Sequence, residues 1–400
     1  MHDNPFSDEE LAARLVELRR RMAGRDLDLA LVSAPENIFY LTGLDHWGYF
    51  APHLLIVPAD GEMTLVTRSM ERVSVEKQVR NARFEGHTDM ETAADLTVRL
   101  LRSKGGVKER ALAVVDVVKD EIGGAVSRIG VETWSSGHSF GFGSSIREGV
   151  DAAWIDISGI VDEMRLVKSP AEQALMRRAA KVTDAAAGAA IEAISDGAPE
   201  REVAAECVAA MIRAGGDPAG FGPFIRPGSR LGEEHGTTGD GAFRSGEPVF
   251  LELSGCVRRY HAPLGRLVHL GGIRDEDAAM AETVKKAFDA VFTALKPGTT
   301  AGAVYQAWQN VVNAAGLPHY RRHHCGYLVG IGVPPSWIGG NRVTGLRAGS
   351  PLVIETGMSF HVLSWLMGTG AGDYFMSNPV LLTETGAEIL TEIPFGPIVK

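Results

Sequence analysis

Glu252 has the setting that most calls for a chemical explanation. It stands inside Val249-Phe250-Leu251-Glu252-Leu253, an apolar run with the character of a buried strand. A charge there is costly unless it is paired or used. A carboxylate in a partly dry pocket gains proton affinity and can attack an electrophilic carbon, such as that of an amidinium, or act as a base. The alternative is a buried ion pair with Arg258, Arg259 or Arg266. His235 lies upstream in the polar stretch Gly232-Glu233-Glu234-His235-Gly236-Thr237. A neutral imidazole near Glu252 could pass a proton to a leaving nitrogen. Taken alone, the loop favours an exposed histidine beside two acids.

Other residues offer supporting chemistry. His261 and His361 either line a pocket and orient Glu252 or are satisfied core histidines. Tyr260 and Tyr327 either donate hydrogen bonds to a substrate oxygen or to Glu252, or pack with their hydroxyls satisfied. Trp337 offers an aromatic wall on which a flat or cationic ring would stack. His323-His324-Cys325 has the residue types of a metal site. Neighbouring strand residues point to opposite faces, so the trio reads as structural.

These residues need a scaffold, and the periodicity supplies one. Residues 8–23 carry Leu11, Leu15, Leu18 and Met22 at helical spacing behind Ser7 as N-cap. Leu27-Ala34 reads as a buried strand and Pro35-Glu36-Asn37 as a turn; 54–58 and 63–67 form a hairpin around Ala59-Asp60-Gly61. A helix over 89–103 and strands near 111–116 and 129–133 complete a small mixed sheet flanked by helices. A boundary falls near 155–168 and divides the chain into domains 1–160 and 161–400. Beyond Ser169-Pro170, an N-cap and a first helical turn, alanine-rich helices are expected at 170–194 and 199–214. Strands at 249–253 and 264–270, helices at 274–296 and 300–316, and strands with Gly/Pro turns from 324 onward follow. The second half is therefore α+β.

Composition narrows the function classes. A chain of 400 residues exceeds one ordinary core, so two domains are expected. The net charge of -10 leaves no electrostatic footprint for nucleic acid or an anionic membrane. Three cysteines without CxxC spacing argue against a disulfide framework and for a reducing compartment. The polar start Met1-His2-Asp3-Asn4-Pro5 does not read as a secretory signal, and no apolar run reaches bilayer length. A cytoplasmic protein is expected. No GxGxxG follows the first strand, so a dinucleotide reading has no motif.

Several segments, in order, resemble the creatinase/aminopeptidase P family. They are Arg165-Leu166-Val167-Lys168-Ser169-Pro170-Ala171-Glu172, His235 ahead of the Glu252 strand, and Arg259-Tyr260-His261-Ala262-Pro263-Leu264-Gly265-Arg266. Gly326-Tyr327 through Pro334-Pro335, Glu355-Thr356-Gly357-Met358 and Pro394-Phe395-Gly396-Pro397 continue the series. The resemblance implies a small α/β creatinase N-terminal-like domain followed by a pita-bread domain. Metal-dependent members bind two ions through two aspartates, a histidine and two glutamates. The matching positions here are Glu252, Pro263, Tyr327, Leu363 and Ser377. Pro263 and Leu363 offer no side-chain ligand, so no metal or other cofactor is expected.

The chain resembles the family's non-metal branch of ectoine hydrolase and creatinase, sharing the Glu252 strand, the Tyr260-His261 phrase, the loop ending at Trp337 and Gly357–His361. The resemblance implies a hydrolase of a C–N bond in a small cyclic amidine, amide or guanidino compound. Glu252 would be nucleophile or base and His235 general acid/base, with Tyr260, His261, Tyr327, Trp337 and His361 around the substrate. Creatinase's two carboxylate-binding arginines match Ala51 and Phe375, which argues against creatine. Asp45, Trp47 and Tyr49 match the loop that reaches the partner's site in creatinase, which implies a homodimer with composite pockets; the alternative is an ordinary aromatic surface loop. Competing readings are an Xaa-Pro dipeptidase or aminopeptidase, a non-catalytic pita-bread binding protein, and a lyase.

Overall fold

The computed structural model describes residues 4–102, 128–340 and 343–400. The strand expected near 111–116 lies outside them. The chain divides into two compact units, one formed by the residues up to Arg165 together with Gly340 and the other by Leu166–Gly339 and Val343–Lys400.

The first unit begins with the helix Asp8–Ala23, where Ser7 accepts the Glu10 N–H as N-cap. Its sheet holds β1 (Leu29–Val32), β2 (Leu54–Pro58), β3 (Met63–Arg68), β4 (Ala82–His87), β5 (Arg128–Val131) and β6 (Ala153–Asp156) in the order β4-β3-β2-β1-β5-β6. Antiparallel β1–β2 and β2–β3 pairs combine with parallel β3–β4, β1–β5 and β5–β6 pairs. The sheet is mixed, as the pattern predicted. The segment read as a turn at Pro35 is instead the helix Pro35–Thr42. Pro35 suits a first helical turn. All eight residues are buried, so no amphipathic stripe marks the helix. Buried Glu132 accepts the Ser33 and Ala34 N–H groups ahead of it at 2.7 and 2.8 Å.

The second unit is built on an eight-stranded sheet: β7 (Phe224–Pro227), β8 (Pro248–Val257), β9 (Tyr260–His269), β10 (Gly326–Leu328), β11 (Ser359–Leu366), β12 (Tyr374–Thr383), β13 (Gly386–Ile389) and β14 (Ile398–Val399). The order is β10-β11-β12-β9-β8-β7, with β13 on β12 and β14 on β9. The fold is α+β, as expected. The helix Pro170–Ala193 starts at a capping box: Ser169 Oγ accepts the Glu172 N–H, and the Glu172 carboxylate accepts the Ser169 N–H. Its alanines permit close approach to the sheet. A Cβ on Gly255 would lie 2.4 Å from Ala179 O. Thr183 Oγ1 accepts the Gly255 N–H at 2.8 Å and donates to Ala262 O at 2.7 Å, which fixes the helix on β8 and β9.

The helices Asp275–Ala294 and Ala301–Ala314 cover the same unit, and Trp308 Nε1 donates to Ser364 Oγ at 3.3 Å. Successive strand side chains alternate. Ser364 under a helix therefore leaves His361, Leu363 and Trp365 on the other face. Among the described residues no helix is long and apolar enough to cross a membrane.

Candidate active site

The open face of the second unit's sheet forms the floor of a cavity of about 300 Å³. Alternate residues of three strands supply that floor: Phe224 and Arg226 from β7, Phe250 and Glu252 from β8, Leu363 and Trp365 from β11. Between them β9 contributes Gly265, which pairs with Glu252 on one side and Ser377 on the other. A side chain there would not fit. A Cβ on Gly265 would meet Phe375 at 2.3 Å and Ser377 Oγ at 2.7 Å. The rim adds Glu234 and His235 from one loop, Arg322, His323 and His324 from another, and Tyr327 and Trp337.

Glu252 projects into this space with its side chain 14% exposed, and no hydrogen bond to its carboxylate is found among the described residues. Burial raises its proton affinity to about 7, against an opposing pull from Arg226 and Arg322. Its nearest basic neighbour within pairing distance is His361, whose Nε2 stands 4.0 Å from Glu252 Oε1. The ion pairs with Arg258, Arg259 or Arg266 considered from the sequence do not form. Arg266 instead donates to the carbonyls of Gly265, Ser377, Ile393 and Pro394 and to Asn378 Oδ1.

His361 belongs to a continuous polar chain. Its Nδ1 lies 2.8 Å from Tyr327 OH, its Nε2 lies 2.7 Å from Ser377 Oγ, and Trp337 Nε1 donates to Tyr327 OH at 3.0 Å. Burial holds His361 well below its ordinary value, hence neutral, and drives the Tyr327 phenol upward. His235 is exposed at the rim, its ring 6.2 Å from Phe221 and 5.8 Å from Phe224. Trp337 rests edge-on against Phe221 at 4.8 Å. Beyond this aromatic wall lies a second, wider cavity of about 600 Å³, which His235 also lines. The loop is held at the preceding residue, where Glu234 O accepts from Arg226 Nη1 at 3.2 Å.

The structure thus brings Glu252, His235, Tyr327 and Trp337 to one cavity, with His361 hydrogen-bonded behind Tyr327. It places the other candidates elsewhere. Tyr260 OH donates to Glu172 Oε1 at 2.7 Å, joining β9 to the start of a helix, and Tyr260 is not among the cavity's lining residues. His261 is buried with both ring nitrogens engaged: Nε2 accepts the Gly220 N–H at 2.8 Å and Nδ1 meets Arg259 O at 2.9 Å. It serves as a satisfied core histidine. Trp47 and Tyr49 belong to the first unit, where Trp47 is exposed and Tyr49 OH donates to Leu44 O at 3.0 Å.

Alternation along a strand would separate His323 from His324, but the strand begins only at Gly326, and both histidines line the cavity. Arg226 and Arg322 were not anticipated, because Phe224–Pro227 carries no strand signal and Arg226 precedes a proline.

The donor set does not suit a pair of divalent ions. Among the described residues no group of three or more His, Cys, Asp and Glu is placed to hold a metal. The row Glu252–Gly265–Ser377–Leu363 crosses the sheet with one carboxylate, and Pro263 sits opposite Ser254.

Residues 174–384 match the metallopeptidase family M24, and residues 14–167 match the creatinase/prolidase N-terminal domain. An ectoine hydrolase of Halomonas elongata is 27% identical over 416 residues, covering 99% of this chain and 98% of the relative. An Xaa-Pro dipeptidase of Pyrococcus furiosus is 27% identical over 386 residues, covering 95% of this chain and 97% of the relative. The prolidase structure from Thermococcus sibiricus superposes with a TM-score of 0.82 at 19% identity, over 98% of this chain and 99% of that one, a likeness of fold. With a creatinase-type N-terminal domain followed by the pita-bread domain, the chain belongs to family M24.

Proposed function

We propose that this M24 hydrolase cleaves a C–N bond in a small nitrogenous compound, such as an ectoine-like cyclic amidine, an amide or a guanidino compound, without a metal ion. The observation that carries the reading is Glu252: a carboxylate in a cavity, free of hydrogen bonds to described residues, with its proton affinity raised to about 7. Such a group exchanges protons near neutral pH, where general acid–base chemistry is most effective. By the resemblance, Pro263 and Leu363 match two of the family's five ligand positions, and neither side chain can ligate a metal.

As a base, Glu252 takes a proton from water, and the water oxygen bonds to the substrate carbon. The C–N bond then breaks as the nitrogen receives a proton from His235. As a nucleophile, Glu252 bonds its own oxygen to that carbon, the C–N bond breaks as the nitrogen receives a proton from His235, and water then cleaves the anhydride-type intermediate and frees the carboxylate. Tyr327 and Trp337 wall the cavity and present aromatic surface to a flat or cationic ring. The likeness to an Xaa-Pro dipeptidase supports peptide cleavage as a second reading, one that requires metal ligands of a kind these positions do not offer.

An assay of the purified protein on ectoine, hydroxyectoine, creatine and an Xaa-Pro dipeptide, with and without chelator, tests the proposal. Hydrolysis of an amidine or guanidino substrate that survives chelator and disappears in Glu252→Gln is expected. Prolyl-peptide cleavage that depends on added manganese or cobalt would overturn it.

A further inference from the structure

We propose that Arg226 seats a carboxylate of the molecule on which Glu252 acts, so that the substrate is an anionic or zwitterionic C–N compound rather than a neutral one. The inference rests on the reading of the Glu252 cavity as the substrate site.

Arg226 is only 2% exposed, yet it lines the cavity. Its Cζ lies 4.3 Å from the centre of the Phe250 ring, so one face of the guanidinium is covered. Nη1 donates to Glu234 O at 3.2 Å. Nε and Nη2 are buried and have no hydrogen-bond partner. Those two atoms form one edge of the guanidinium fork, and that edge matches the two oxygens of a carboxylate. Arginine cannot shed its proton to escape the cost. A buried, unpaired donor edge is therefore expensive, and native structures keep such edges for a partner.

Glu252 is not that partner, because neither free donor of Arg226 is hydrogen-bonded to it. Arg226 pairs across the ladder with Phe250, and Phe224 pairs with Glu252, so Arg226 and Glu252 are diagonal neighbours on one sheet face. Diagonal neighbours are separated by roughly 7–8 Å. From that backbone spacing on one sheet face, a small molecule can meet Arg226 with a carboxylate at one end and Glu252 with the scissile carbon at the other. The other charges facing Arg226 are Glu234, Glu233 and Arg230 on the neighbouring loop. Arg230 is tied to Glu200 and Glu233 at 2.7 and 2.6 Å. Arg322 lies over the Trp365 ring at 4.9 Å, with Nη1 3.9 Å from Glu234 Oε1. Arg347, which also lines the cavity, is exposed and donates to Val343 O at 2.7 Å. Among these arginines, Arg226 is the one whose Nε–Nη2 edge is buried without a partner.

Calorimetric titration of the full chain with N-acetylglycine and with N-acetylglycinamide tests this. The two probes share an amide and differ in one carboxylate. The acid is expected to bind about tenfold or more tightly than the neutral amide, the range of a charge-assisted hydrogen bond. Arg226→Gln should erase that preference, and Arg226→Lys, which keeps charge and much of the volume, should reduce it. Arg322→Gln should retain it. Equal binding of the two probes, no binding of the acid, or an undiminished preference in both Arg226 variants would overturn the proposal. Glu252→Gln separates the two readings. Loss of hydrolysis with the preference retained supports both, whereas unchanged hydrolysis with the preference retained defeats the catalytic reading alone.

Discussion

Glu252 Oε1 and His361 Nε2 face each other at 4.0 Å, too far apart for a hydrogen bond, and the histidine is committed elsewhere. Trp337 Nε1 can only donate, so Tyr327 OH accepts from it and has one proton left to give. Given to His361 Nδ1, that proton leaves Nε2–H directed at Ser377 Oγ. The neutral, buried imidazole then supplies no positive charge to Glu252. The carboxylate's electrostatic counterparts are Arg226 and Arg322.

That chain predicts coupled losses. Tyr327→Phe leaves the Trp337 indole N–H and one His361 nitrogen without their partner, a cost of about 1–3 kcal/mol. Trp337→Phe breaks one of the same bonds. Chemical denaturation should show each variant destabilised and the double variant less destabilised than the sum of the two. Strict additivity would mean that the chain does not act as a unit.

A second prediction concerns pH and stability. Glu252 binds its proton with a value of about 7 in the folded chain, against an ordinary value of 4.5. Between those values the native state holds a proton that the unfolded chain has released, so stability falls as pH rises through the window. Glutamine carries no such linkage. Glu252→Gln should therefore match the parent near pH 5 and exceed it near pH 8, by up to about 3 kcal/mol. His53 and His324, held to about 3 by burial, give the opposite slope as pH falls below their unfolded value, and this cancels between the two proteins. Melting curves at the two pH values decide the matter; a variant less stable at both would show that the carboxylate is structural.

His235 is held at the rim by its loop and by contact with Phe221 and Phe224, and it carries no part of the buried core. His235→Ala should consequently fold as well as the parent. If His235 donates the proton to the leaving nitrogen as proposed, it should matter to turnover by roughly 10²–10⁴-fold and much less to substrate binding. Steady-state kinetics that separate kcat from KM check this, and unchanged kcat removes the residue from the mechanism.

Much of this was legible in the sequence because it depends on short-range signals. Ser169, Pro170 and Glu172 announce a helix start, and the helix Pro170–Ala193 begins there. The apolar run around Glu252 marks a buried strand, and β8 extends it to Pro248–Val257. Pro263 concealed the first half of β9, since a proline argues against a mid-strand position. The site was legible where a residue was out of place locally, as Glu252 is. It was obscure where function arises from the fold. Nothing near Arg226 signals that Phe250 will cover one face of it and leave one edge open. Tyr260 and His261 carried promising chemistry in sequence, but their polar atoms are consumed by Glu172, Gly220 and Arg259.

Exposed apolar side chains gather in one region of the first unit. Tyr49 packs at home, its ring 4.8 Å from both His46 and His53. Trp47 and Phe50 beside it are exposed, as are Met70 and Val73. His46 Nδ1 lies 3.1 Å from Glu71 Oε2, which links the two segments that carry these apolar side chains. Exposed apolar groups gathered in this way commonly mark an interaction surface. A second copy of the chain is the partner we propose, with the Trp47 loop reaching the other subunit's cavity. Light scattering should then return twice the 42.8 kDa of one chain. Trp47→Ala combined with Phe50→Asp should shift the protein toward monomer and lower kcat/KM in the same titration, because a composite pocket is lost with the interface. A fully active monomer would show that each cavity is complete within one chain.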